Sequence, residues 1–415
     1  MSQSTLDISI VPLPASHDVL TEILRQGARD MLARAIEAEV ADWIDARTQL
    51  RGHDGRRQVV RNGSHPQREI LTSLGPMTVQ QPRVLDRRPD QEKEVFRPTI
   101  LPPYLRRAKT IDQLIPWLYL KGISTGDFPE ALQSLLGINA KGLSANTVTR
   151  LKAAWEEEYG AWNKRSLKDK HYVYVWADGI HFNIRLEDDR QCILVLMGAT
   201  ADGKKEMIAI ADGYRESEQS WKELLLDCQA RGLEIEPKLA IGDGALGFWA
   251  AMRKVWHTTK EQRCWVRKTA NVLDKMPKSS QPKAKGMLHE IYLSETKAEA
   301  EKAFDLFVKT YEAKYPKATE CLTKDRDKLL PFYDFPAEHW LHIRTTNPIE
   351  STFATVRLRH SKTKGSGTRK ACLTMVFKLM ESASKTWRAL NGSELLPEVI
   401  AGTVFVDGVK KSNAA

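Results

Sequence analysis

The chain has 415 residues, and its 42% hydrophobic and 28% charged content excludes wholesale disorder. At roughly 150 residues per domain it has room for two to four domains. Five cysteines, sparse and odd in number, exclude a disulfide scaffold and point to a reducing compartment. No stretch approaches the ~18 apolar residues of a membrane span. The first residues lack the basic start and apolar run of a signal peptide. Sixty-three basic residues against 53 acidic ones give a net charge of +10, which points to a polyanionic partner, most often nucleic acid. Many basic proteins bind nothing of the kind, so where the charge sits matters more than its sum.

Residues 18–48 read as a helix. Leu20, Ile23, Leu24, Ala28, Met31, Leu32, Ile36 and Val40 recur at three- and four-residue steps, with acids on the other face. Core packing is the first reading of that stripe, and a contact with a second chain is the alternative. Residues 1–50 sum to −4, whereas residues 51–110 sum to +7. In the latter, turn signals at Asp54-Gly55, Asn62-Gly63 and Gly75-Pro76 separate β-prone runs at 68–74 and 77–79. A small β element carrying Arg56, Arg57, Arg61 and Arg68 is expected. Residues 86–103 are charged and contain proline, the composition of a linker.

Residues 114–120 look helical and stop at Gly122. Ser124 to Asp127 resembles a capping box opening a helix at 128–136, which Gly137 stops. Ser144 caps a third helix at 145–158. Two short helices, a glycine-containing turn and a helix opening with Ser144, Asn146, Thr147, Thr149, Arg150 and Lys152 fit a helix-turn-helix. The first turn of such a helix reaches base edges and phosphates. An ordinary three-helix bundle has the same pattern.

At His171 the pattern changes to β-branched and aromatic residues, apolar on both faces and ending at Asp178. Strands at 182–186, 192–199 and 207–211 follow, with turns at Asp188-Asp189 and Asp202-Gly203. A helix at 220–231, a buried strand at 238–241 ending in Gly242-Asp243-Gly244, and a helix at 245–255 complete an α/β pattern with a mixed sheet. Residues 265–340 then read as helical, an interruption of the α/β domain. A last helix begins near Pro348 and runs into residues 351–388, where nine basic residues meet only Glu381. Clustered charge of this kind suits phosphate contacts, although a solvated basic face has the same composition. Gly365-Ser366-Gly367 breaks the helix, and it resumes at 371–390.

Asp178 and Asp243 end strands, and Glu350 opens a helix. Carboxyl ends of strands in such sheets face the usual site crevice. Three carboxylates converging from separate elements are what two hard cations need, because Mg²⁺ takes oxygen ligands and keeps water positions open. Two such ions activate the attacking oxygen and stabilise the leaving one in phosphodiester chemistry. Each acid also has a purely structural reading. Asp178 before Gly179 and Asp243 between two glycines suit turns. Asn347 suits a helix N-cap, with Pro348 at the first position and Glu350 in a capping box.

Trp176-Ala177-Asp178-Gly179, Gly242-Asp243-Gly244-Ala245 and Arg344-Thr345-Thr346-Asn347-Pro348-Ile349-Glu350 closely resemble the three catalytic blocks of the mutator-type bacterial insertion-sequence transposases. Gln262-Arg263-Cys264-Trp265-Val266 resembles that family's block between the second Asp and the Glu, and residues 118–152 resemble its helix-turn-helix. The resemblance covers most of residues 50–390, with the blocks in the same order. It implies a ribonuclease H-like catalytic domain in which an all-helical insertion precedes the helix bearing the Glu. The organisation then reads as a helical segment at 1–50, available for dimerisation, a basic β element and linker at 51–109, and a helix-turn-helix domain at 110–165. The catalytic domain takes 170–264 and 345–390, the insertion 265–344, and a tail 391–415.

The implied activity is DDE transposition. Hydrolysis at each element end frees a 3′-hydroxyl, which attacks target DNA. Asp178, Asp243 and Glu350 would hold two Mg²⁺ or Mn²⁺ ions. Asn146, Thr147, Arg150 and Lys152 would meet DNA, and Arg357 and Arg359 would hold its phosphates. The implied partners are double-stranded DNA, as terminal inverted repeats and target, and a second copy of the chain. No small-molecule cofactor or membrane is expected, and the place of action is the bacterial cytoplasm at the nucleoid. One position departs from the family, which usually has Cys-x-x-His where this chain has Cys264 and Arg267. Arginine neutralises phosphate but cannot act as a base. Cys264 has no partner at zinc spacing and reads as a buried core cysteine. Two other classes stay open: a DNA-binding protein whose catalysis is lost, which Arg267 favours, and a structure-selective nuclease on the same fold. His339 and His342, without acids, are weak metal candidates. Trp340 reads as a packing residue and Glu156–Glu158 as a solvated face.

Overall fold

The structure, a computed structural model, describes residues 19–120, 123, 128–136, 145–184, 190–213, 215–244, 246–362 and 368–411. The chain forms two units, Met1–Val148 and Thr149–Ala415.

In the first unit the helical period of the sequence becomes α1 (Val19–Asp45). Its C-terminal half carries the core: Ile36 and Val40 are buried, and Ile36 packs with Ile70, Met77, Val79 and Leu101. Leu20, Ile23, Leu24 and Met31, on the N-terminal half of the same stripe, are exposed. Four short strands follow: β1 (Val59–Ser64), β2 (Arg68–Thr72), β3 (Gly75–Val79) and β4 (Pro82–Asp86). They pair as two antiparallel ladders, β1 with β4 and β2 with β3. Asn62-Gly63 does not reverse the chain. It lies within β1 where the register shifts between Arg61 and Ser64, and Gly63 takes φ 68°, the mark of a bulge. The reversal near Gly75 falls earlier, at Ser73-Leu74, because Thr72 already pairs with Gly75.

Residues 86–103 have no regular element, yet they are not a loose linker. Arg88 pairs with Asp86 at 2.7 Å, and Thr99 donates through its amide to Glu39 at 2.5 Å. Arg68 donates to the Pro102 carbonyl at 2.6 Å, and Leu101 is buried. Three helices appear where expected: α2 (Lys109–Leu120), α3 (Phe128–Leu136) and α4 (Ala145–Asn163), the last continuing into the second unit. The expected caps and stops at Gly122, Ser124, Asp127, Gly137 and Ser144 lie outside the described residues. So do the turn at Asp188-Asp189 and the break at 365–367.

The second unit is built on a five-stranded mixed sheet of order β7-β6-β5-β8-β9. Strands β5 (Tyr172–Phe182), β6 (Gln191–Thr200) and β7 (Lys205–Gly213) are antiparallel. After α5 (Glu218–Ala230), β8 (Leu239–Gly242) lies parallel to β5. After α6 (Leu246–Val255), β9 (Lys260–Arg263) lies parallel to β8. Trp221, Leu225, Cys228, Phe248, Trp249 and Met252 of α5 and α6 bury one face of the sheet against Tyr172, Val175, Cys192 and Leu194.

The helical block consists of α7 (Trp265–Leu273), α8 (Gln281–Leu293), α9 (Lys297–Tyr311), α10 (Pro316–Thr323), α11 (Arg326–Leu329) and α12 (Trp340–Ile343). The chain then returns to the sheet with α13 (Asn347–Lys362) against β5 and α14 (Arg369–Ser384) against β7.

Three expectations need correction. Strand β5 does not stop at Asp178: its ladder with β6 runs on through Gly179 to Phe182, so no new strand begins at 182. β9 was not expected, since Lys-Glu-Gln-Arg has no β-branched residue and its pairing with β8 alone makes it a strand. Residues 391–411 are folded rather than a tail. They form α15 (Leu396–Ile400) and a hairpin of β10 (Phe405–Val406) and β11 (Val409–Lys410). The Gly408 amide donates to the Tyr333 carbonyl at 3.1 Å, and Leu396 and Phe405 are buried. Among the described residues no helix is long and apolar enough to cross a membrane, and all five cysteines are buried and unbridged.

Candidate active site: a carboxylate cluster where two strands and a helix meet

Parallel pairing of β5 with β8 sets Ala177 opposite Gly242, so Asp178 and Asp243 are the next residues on adjacent strands. The chain turns sharply after Asp243. Gly244 takes φ 121°, and a Cβ there would lie 2.6 Å from an Arg263 guanidinium nitrogen. Only glycine fits that turn.

The third acid arrives through the block at 262–266. The Cys264 amide donates to the Gly242 carbonyl at 2.8 Å, and the Trp265 amide donates to the Arg344 carbonyl at 3.0 Å. Cys264 Sγ accepts from the amide and the hydroxyl of Thr346, both at 3.2 Å. The block therefore links the strand of the second acid to the turn that opens α13, and Glu350 stands in the first turn of that helix. Trp176, beside the first acid, donates its indole N–H to the His342 carbonyl at 3.0 Å. The expectation of a buried Cys264 holds, and its sulfur has a structural task.

Asp178 is only 3% exposed. One carboxylate oxygen accepts from the adjacent Gly179 amide at 2.9 Å, while Oδ2 is buried without a hydrogen-bond partner. Burial, followed by the charges of Asp243 and Glu350, raises its proton affinity well above the ordinary carboxylate range. Arg267 is the nearby counter-charge. Its Nη2 bonds Glu350 Oε1, and Arg357 lies 3.7 Å from Glu350 Oε2. Burial works against the Arg267 charge, but Glu350, Asp178 and Asp243 outweigh it and raise the guanidinium further. The residue standing where histidine was expected thus balances the acids. An orphaned Asp178 oxygen, with Asp243 and Glu350 near enough to act on it as like charges, offers oxygen donors that suit a hard divalent cation, although the three do not close into one ligand group in this structure. The turn-former reading of Asp178 fails, because the residue sits inside a continuous strand.

Two neighbours escaped sequence reasoning. Glu216 lies in the β7–α5 connection, and its Oε1 is 3.3 Å from His181 Nε2. Burial, then Asp243, raises its proton affinity, with His181 and Arg267 opposing. The β5–β6 register sets His181 opposite Cys192, and one donor atom each of His181, Cys192 and Glu216 lie within 4.8 Å of one another. Burial pushes the Cys192 thiol up to about 12, so it stays protonated. The one sequence clue to Glu216 is Gly179, where a Cβ would lie 2.6 Å from Glu216 Cδ.

The expected DNA contacts divide. Arg150 is exposed on α4 and Lys152 is partly buried, while the side chains of Asn146 and Thr147 lie outside the described residues. Arg357 is half-exposed, but Arg359 is 3% exposed, which withdraws it from any phosphate at the surface. Part of the basic segment is neutralised within the unit: Lys370 pairs with Glu156 and Lys378 with Glu158, both at 2.6 Å, and Arg369 pairs with Asp212 at 2.8 Å. The Glu156–Glu158 run is therefore not simply solvated. His339 is a buried structural residue, bonded to the Tyr174 hydroxyl and the Gly392 carbonyl, both at 2.8 Å. Trp340 packs on Phe332 and Tyr333.

The chain matches the family described as transposase, Mutator family, over residues 2–389. It is 53% identical over 298 residues to the transposase for insertion sequence element IS6120 of Mycolicibacterium smegmatis, covering 72% of this chain and 92% of that relative. It is 51% identical over 280 residues to the transposase for insertion sequence element IST2 of Acidithiobacillus ferrooxidans, covering 68% of this chain and 95% of that one. A third, the transposase for insertion sequence element IS406 of Burkholderia multivorans, is 28% identical over 384 residues, covering 91% of this chain and 95% of the relative. The resemblance carried by the three acidic blocks thus extends along nearly the whole chain, which belongs to the Mutator family of transposases.

Proposed function

We propose that this protein is a DDE transposase that binds the terminal inverted repeats of an insertion sequence and catalyses metal-dependent strand cleavage and transfer. The observation that carries the reading is the parallel β5–β8 pairing that makes Asp178 and Asp243 neighbours, with a buried carboxylate oxygen of Asp178 unpartnered. The strand order β7-β6-β5-β8-β9, with three antiparallel strands and then two parallel ones, supports a ribonuclease H-like catalytic domain.

In this mechanism Asp178, Asp243 and Glu350 would hold Mg²⁺ or Mn²⁺, which when bound would activate the attacking oxygen and stabilise the leaving one. The strands fix two of the acids, and α13 fixes the third. Arg267 exchanges its bond to Glu350 for a DNA phosphate, and Arg357 holds a neighbouring one. Water is the nucleophile at the element end. It adds to phosphorus as the 3′-oxygen leaves, and that freed hydroxyl then attacks a target phosphodiester in the same way. Asn146, Thr147, Arg150 and Lys152 read the repeat from a helix-turn-helix. Two ends must be joined, so the working form is a dimer or larger, and the exposed Leu20, Ile23, Leu24 and Met31 on α1 support a contact there.

A second reading has one observation in its favour. The Arg267–Glu350 ion pair occupies the third acid, as in a DNA-binding protein whose catalysis is lost. Cleavage of a labelled element-end duplex with Mg²⁺ or Mn²⁺ separates the two. Nicking by the native chain that Asp243→Asn abolishes supports the transposase. Tight binding without nicking, restored by Arg267→His, means a disabled site. Binding with no nicking in any form supports the second reading.

A further inference from the structure

We propose that Glu216 is a fourth carboxylate of the cation site, adding its charge to that of Asp178, Asp243 and Glu350. The inference rests on the cation-site reading above and adds a residue that no sequence block singled out. Two glycines make room for Glu216 and its backbone. A Cβ on Gly179 would lie 2.6 Å from Glu216 Cδ and Cγ, so the carboxylate lies directly on the backbone that follows Asp178. The Gly179 amide in turn donates to Asp178 Oδ1 at 2.9 Å. A Cβ on Gly247 would lie 2.6 Å from the Ser217 carbonyl carbon, so the Glu216–Ser217 backbone is wedged against the start of α6, four residues after Asp243.

Ser217 then caps α5, accepting from the Ser220 amide at 3.2 Å, which fixes the segment from its other side. The Ser217 cap fixes the segment, and Gly179 and Gly247 leave room for Glu216 to pack against the backbone beside Asp178. Asp243 acts on it as a like charge, and it acts likewise on Asp178. Among the described residues, its hydrogen-bonding neighbour is His181, at 3.3 Å. A half-buried carboxylate placed against two others is costly unless a cation shares it. The residue before Gly179 carries a second unmet acceptor, the orphaned Asp178 Oδ2.

A structural role and a cation-holding role differ in sign. If Glu216 mainly braces the fold, Glu216→Gln lowers the metal-free melting temperature and leaves cation affinity alone. If it holds cation charge, Glu216→Gln removes like-charge repulsion, so the melting temperature in EDTA stays equal or rises. Mn²⁺ affinity then falls by about 10- to 100-fold, the loss typical of supporting groups around a metal.

The experiment is Mn²⁺ titration of the full chain by calorimetry or electron paramagnetic resonance, with melting curves in EDTA. Gly179→Ala, which pushes the Glu216 carboxylate aside while keeping its charge, should weaken Mn²⁺ in the same direction. Mn²⁺ affinity within about twofold of the native chain in both variants would overturn the proposal. So would weakened binding accompanied by a lowered melting temperature in EDTA in Glu216→Gln. Asp243→Asn separates this failure from a deeper one. If it abolishes Mn²⁺ binding while Glu216→Gln does not, the cation site stands and Glu216 lies outside it. If Asp243→Asn changes nothing, the cation-site reading itself falls.

Discussion

Arg267 offers the sharpest test of how the acids coexist. Its guanidinium bonds Glu350 and faces Asp178 and Asp243, with side-chain exposures of 39% for Arg267 and 23% for Glu350. Exposed ion pairs contribute about 0.2–1 kcal/mol, whereas breaking a buried one costs about 3–5 kcal/mol. This pair is partly screened, and Arg357 remains 3.7 Å from Glu350 when Arg267 is removed. Arg267→Ala should therefore cost about 1 kcal/mol in metal-free protein, or ~2–4 °C of melting temperature for a unit of this size. The sign reverses with metal. Arg267 and a divalent cation compete for Glu350, so the variant should bind Mn²⁺ more tightly and gain more melting temperature from it than the native chain. Scanning calorimetry in EDTA and in millimolar MnCl₂ gives both numbers. An unchanged melting temperature in EDTA, with equal gains from Mn²⁺, would show that Arg267 is not the counter-charge of the acids.

Asp178 keeps its proton to higher pH in the folded chain than in the unfolded one. Its contribution to stability is thus full below the ordinary carboxylate value of about 4 and is lost as pH rises through the raised value. Metal-free Asp178→Asn should therefore melt higher than the native chain near pH 8, with the gap closing toward pH 4; a constant gap across that range would contradict the assignment. Gln262 is fully buried, donates to the Arg263 and Leu329 carbonyls at 2.9 and 3.1 Å, and accepts from the Phe332 amide at 2.9 Å. Gln262→Ala strands these groups and should cost about 2–4 kcal/mol in denaturant unfolding; a loss under half that would mean water replaces the amide. Asp325 pairs with buried Lys268 and lies 3.4 Å from Arg263. Asp325→Ala, which leaves two buried cations, should cost about 3–5 kcal/mol, whereas Lys268→Met should cost far less. Equal losses in the two variants would refute that asymmetry.

Much of this molecule is legible in one dimension. Period alone places α1, α3 and α4, and continuous apolar runs place β6, β7 and β8, because burial on one face of a helix or on both faces of a central strand is written into local composition. The three acids stand out for the same local reason: each follows or opens an apolar element with a turn residue beside it. Gly179 and Gly244 sit next to two of them because close backbone approach tolerates no Cβ.

Other features follow from contacts between segments far apart in the chain. β9 is polar and becomes a strand only by pairing with β8. Residues 391–411 lack a strong pattern and fold because Tyr333 and Ala337 take their backbone bonds. Arg357 and Arg359 look equivalent in sequence, yet two positions on a helix face different ways, and one is half-exposed while the other is buried. Likewise Glu216 and His181 lie 35 residues apart, and only the β5 register and the β7–α5 connection bring them together. The sequence by itself determined the family, the mixed α/β architecture and the three acids, since these depend on local pattern and order. Only the tertiary structure decided that Arg267 pairs with Glu350 and that Glu216 packs against Gly179, the residue after Asp178. Charge pairing depends on distance in space, and spacing along the chain does not encode it.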